Sequence, residues 1–190
     1  MVRDMPPART LTPGYMVVHP NRDKAVCKAT KATVVFILLV SVLLMLIVTI
    51  GGWSKLQGMK PVNFAWCLVY IIIAVYIARW ARGLLPIAAA LGILLLIISL
   101  IAGLGVSGTS WFDRSHAGFA HADSLFGGSG LSADTIGLVT LLIAPVQVLL
   151  IVFAMRGFGQ GWNVEQEVSL EDAQRRGGSA ATPPPRPAAA

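Results

Sequence analysis

ATVVFILLVSVLLMLIVTIG, residues 32–51, decides the fold. Its twenty positions carry no charge, and at 1.5 Å of rise per residue a helix of that length crosses the roughly 30 Å hydrocarbon core of a bilayer. Its many β-branched residues are mediocre helix formers in water. In lipid they are acceptable, because only a helix satisfies its own backbone polar groups there. The hydroxyls of Ser41 and Thr49 can bond back to carbonyls one turn earlier. Gly51, Gly52 and Trp53 end the span, with the indole at the membrane interface.

Three further stretches read the same way. Residues 62–80 form a second span, opened by Pro61 at a position where a helix tolerates proline. Its aromatics gather near the two ends, as interfacial belts do. Tyr70 alone lies deeper, and a buried tyrosine hydroxyl seeks a partner, which makes a bond between helices the expected role. Residues 86–106 form a third span, with Ala88, Gly92, Ser99 and Gly103 on one face. Small residues at such spacings let another helix approach closely, so this face is a packing interface. Residues 135–155 form a fourth, in which Gly137, Thr140, Ala144 and Gln147 share a face and Pro145 is expected to kink the helix. Gln147 is the most polar side chain in any span and reads as interhelical glue.

The fold class is therefore an all-α integral membrane protein, a four-helix bundle over residues 32–156. Composition agrees. Of 190 residues 55% are hydrophobic and only 13% charged, against roughly 25% charged in soluble domains, and mean hydropathy is +0.71. Residues 1–31 form a basic arm broken by Pro6, Pro7, Pro13 and Pro20, with Asn21 or Thr30 as candidate caps for the helix that follows. This arm lacks the features of a cleavable signal, so it is expected to stay attached. Residues 157–190 are a tail, with a glycine- and aromatic-containing exit at 157–162 and a disordered Ala/Pro-rich end.

Basic residues set the orientation. The arm, the turn with Arg79 and Arg82, and the C-terminal segment are rich in them, whereas the other side holds only Lys55, Lys60 and Arg114. The positive-inside rule places both termini in the cytoplasm and the long loop, residues 107–134, outside. The net charge of +6 thus reports topology, and no nucleic-acid partner is expected. Cys27 and Cys67 fall on opposite sides, too far apart for a disulfide.

The outer loop concentrates the remaining chemistry. His116 and His121, with Asp113 and Asp123, are suitable zinc or copper ligands, but their spacing matches no strict metal motif. Trp111, Phe112, Phe119 and Phe126 fit a docking surface better, since interface cores favour aromatics. Gly127 to Gly130 lacks the sequence of a phosphate-binding loop and reads as a flexible linker. No ionisable residue lies deep within a span, as pumps, proton-coupled carriers and haem proteins require. No catalytic site and no cofactor of its own are expected, with lipid the small molecule that such a bundle meets.

This layout resembles the small four-span membrane proteins of high-GC actinobacteria, some of them accessory subunits of the respiratory cytochrome bcc–aa3 oxidase supercomplex. The resemblance covers residues 24–163 in general architecture. It implies a subunit without redox centres, packed on oxidase or cytochrome b subunits in the bacterial plasma membrane, with lipid or quinone nearby. On the spacing argument, the small-residue face and residues 111–126 are where such a partner would touch. The alternatives are a self-assembling channel or transporter in which Gln147 lines a path, and a metal-binding protein using His116 and His121.

Overall fold

A computed structural model describes residues 14–105, 112 and 124–170. Strand β1 (Tyr15–Val18) and a single turn α1 (Pro20–Asp23) lead into α2 (Ala25–Gly51). A 3₁₀ turn (Gln57–Met59) precedes α3 (Lys60–Ala78), and α4 (Leu84–Leu104), α5 (Ala133–Gly159) and β2 (Gln166–Ser169) complete the described chain. The four long helices are each long and apolar enough to cross a membrane. Less than half of each span is buried within the protein. Phe36, Leu43, Ile97, Leu138 and Val152 point outward, an apolar belt far too large for a water-facing surface.

Helix α2 packs on both α3 and α5, and α4 packs along α5. Helices α3 and α4 scarcely meet, although only residues 79–83 join them. The bundle consequently has a seam between α3 and α4.

Both outermost helices exceed their expected bounds. Helix α2 begins at Ala25, seven residues ahead of the charge-free stretch, and takes Lys28 and Lys31 into its first turns. Neither proposed cap serves it: the Asn21 amide donates to the carbonyls of Gln160 and Gly161, and Thr30 sits inside the helix with its hydroxyl on Val26. Helix α5 starts two residues early because the Ser132 hydroxyl accepts from the Thr135 amide at 3.1 Å, a regular N-cap. It continues unbroken through Pro145 to Gly159.

The described parts of arm and tail meet. Strand β1 pairs antiparallel with β2, Tyr15 opposite Ser169 and Val18 opposite Gln166. Trp162 is fully buried. Gly157 makes this fit, since a side chain there would meet the Trp162 ring at 3.0 Å. The indole nitrogen donates to Gln160, whose amide donates to Thr30 at 2.8 Å. Trp80 stands edge-on to Trp162 at 5.5 Å, and the Lys31 ammonium lies 4.0 Å above the Trp80 ring while donating to the Ala78 carbonyl. Trp80 itself ends α3 with φ +68°, where glycine is usual; the amides of Trp80 and Ala81 close on the carbonyls of Ile77 and Tyr76. Arg82 completes the closure, donating to Phe158 and covering its ring.

Candidate functional site

The polar residues inside the spans converge. Gln147, on α5, has no exposed surface. Its carbonyl oxygen accepts from the Tyr70 hydroxyl of α3 at 3.0 Å, and its amide donates to Ser41 of α2 at 2.9 Å. The Ser41 hydroxyl in turn donates to the Ile37 carbonyl. Three helices are thus joined through one glutamine. Gly92 brings α4 against the same group, since a side chain there would approach the Gln147 carbonyl oxygen at 3.6 Å. Bonds of this kind between membrane helices contribute about 0.6–1.7 kcal/mol each.

The small-residue face lies at the α4–α5 interface. Ala88, Gly92 and Ser99 are buried, and a side chain at Gly103 would strike the Leu141 backbone at 2.9 Å. A second protein cannot use this face as its contact, because α5 of the same chain already fills it. Small residues at this spacing signal close helix approach and leave open whose helix approaches; at Gly92 and Gly103 it is α5 of the same chain.

Toward the other end of the bundle, the seam opens into an apolar chamber of about 270 Å³. Met45 and Val48 of α2, Leu95 and Ile98 of α4 and Ile143 of α5 form its walls. Phe112 closes one side and is buried, which corrects its assignment to an exposed docking surface. Three polar side chains reach the wall: the Ser99 and Thr140 hydroxyls donate to carbonyls of their own helices, and the Asn63 amide donates to Thr49 at 3.1 Å.

The described end of the long loop is pinned. The Leu131 amide donates to the Gly51 carbonyl at the end of α2, and Lys55 donates to the carbonyls of Ser129 and Leu131. Positive φ at Gly127, Gly128 and Gly130 shapes this turn, so the run expected to be a flexible linker closes the end of α2 instead. Phe126 projects from it with 87% of its surface exposed. Trp111, Asp113, His116, Phe119, His121 and Asp123 lie outside the described residues. Among the described residues no three potential metal ligands gather, and Cys27 and Cys67 are buried free thiols.

No protein-family model, curated protein or solved structure matches the chain. Sequence reading identified Gln147 and Tyr70 as bonding groups and did not pair them. It missed Ser41 as an acceptor, because a serine that back-bonds to its helix looks complete. It also missed Thr30 and Gln160, whose bond joins residues 130 positions apart in the chain, and Trp162, whose ring meets that of Trp80.

Proposed function

We propose that this chain is a non-catalytic subunit that stabilises a larger membrane assembly in a bacterial plasma membrane, with both termini cytoplasmic and the long loop outside. The pairing of Ser41, Gln147 and Tyr70 carries this reading. Their polar groups are engaged with one another or with the helix backbone, so the most polar point in the spans serves as a fastening. Phe126, held out on a pinned turn, offers an aromatic anchor for a neighbour. The resemblance to actinobacterial accessory subunits supplies the host, a respiratory cytochrome bcc–aa3 oxidase supercomplex.

The channel reading loses both of its supports. Gln147 is buried and doubly bonded, and the small-residue face is filled by α5. Flux through proteoliposomes containing only this chain would restore it. The metal reading rests on His116, His121, Asp113 and Asp123, and equimolar copper or zinc lost in the His116→Ala, His121→Ala variant would revive it.

Mild-detergent extraction from native membranes tests the subunit reading. The chain is expected to co-purify with a much larger assembly, whose co-eluting proteins can be identified. A lone monodisperse protein would contradict it.

A further inference from the structure

We propose that the chamber at the α3–α4 seam holds one hydrocarbon chain of an anionic glycerophospholipid, whose phosphate rests near Lys60. This inference does not depend on the subunit reading.

The walls come first. Water in a cavity needs two to four polar partners, and of the lining side chains only Ser99, Thr140 and Asn63 carry hydroxyl or amide groups, each already donating to the protein. An apolar space of this kind stays dry, and left empty it forfeits the dispersion contacts of every side chain around it. An apolar cavity of about 150 Å³ takes a benzene-sized molecule, so 270 Å³ suits a stretch of one hydrocarbon chain.

Position supplies the occupant. The wall residues belong to helices fit to cross a membrane, and Ile98 and Ile101, which also line the space, are half exposed on α4. The mouth therefore faces the bilayer interior, where α3 and α4 barely touch. A chain can enter sideways without leaving hydrocarbon.

Charge selects the headgroup. Lys60 stands between two lining residues in sequence, Met59 and Asn63, at the start of α3. Its ammonium lies 4.4 Å above the Trp53 ring, and an indole holds it at interfacial depth without neutralising it. Among the described residues it makes no ion pair with a carboxylate. A phosphodiester beside it supplies the missing charge, whereas a neutral isoprenoid headgroup does not.

Native mass spectrometry of the full chain in mild detergent, titrated with phosphatidylglycerol or phosphatidylcholine, tests the proposal. One phosphatidylglycerol per chain is expected in the wild type and in Leu138→Phe, a control on an exposed face of α5. Ala102→Phe fills the chamber from within, and Ile98→Trp plugs it from the mouth. Each is expected to cut occupancy at least about fivefold by removing the chain's contact surface. Lys60→Gln is expected to erode the preference for phosphatidylglycerol by about fivefold while phosphatidylcholine binding is unchanged. Wild-type occupancy in Ile98→Trp overturns the site even if Ala102→Phe fails to fold. Equal binding of the two lipids by the wild type, an unchanged preference in Lys60→Gln, or an isoprenoid as the molecule carried through purification overturns the anionic phospholipid.

Discussion

The two ends of the bundle are built on different principles. At the end that carries the termini, Trp162, Trp80, Thr30, Gln160, Lys31 and the paired strands interlock, so that arm, tail and three helix ends are tied together. At the loop end α3 and α4 part along a seam that opens into an apolar chamber, and Phe126 is exposed. Contacts that close a fold are directed inward and leave little for a partner. Surfaces that receive something remain apolar and incomplete. On the proposed function, the terminal end supplies stability and the loop end recognition.

Substitutions can break that division. The largest stability loss is expected from Trp162→Ala, which empties a fully buried indole site and leaves Gln160 without its donor; truncations of this kind cost about 3–5 kcal/mol. Detergent-phase unfolding should show it, and a change under about 1 kcal/mol would mean that the terminal end is not a fastening. Gly103→Ala comes next, at about 1–3 kcal/mol, since the new methyl meets the Leu141 backbone and neither helix can yield without moving the other. Gln147→Leu is expected to cost about 1–2 kcal/mol, because Tyr70 and Ser41 lose their shared partner. Equal losses in Gln147→Leu and in the double variant Gln147→Leu, Tyr70→Phe would show that both belong to one network. Phe126→Ala is expected to leave stability within about 0.5 kcal/mol of the wild type, and to weaken retention of the larger assembly during purification.

The spans were legible because hydrocarbon imposes one rule on every residue within it. Residues 32–51 needed no partner to be read. Boundaries were less so: α2 recruits Lys28 and Lys31 because their long side chains keep their charges at the membrane surface, while the helix continues for reasons of backbone bonding. The site was legible by residue type and not by pairing. Gln147 announced a bond, but Ser41 lies 106 positions away and Tyr70 lies 77 away, distances over which no local spacing speaks. The burial of Trp162 was not legible for the same reason, since only the fold brings Trp80 against it. The chamber could not be read at all. It exists because two helices adjacent in sequence scarcely pack, α3 lying on α2 and α4 on α5.

A photo-crosslinking residue placed at position 126, and in parallel at position 15, tests the division of labour most directly in native membranes. Both side chains are exposed, one at each end of the bundle. The account predicts that position 126 captures a different integral membrane protein and that position 15 does not. Capture of a second copy of this chain at position 126, or of no protein at all, would contradict it.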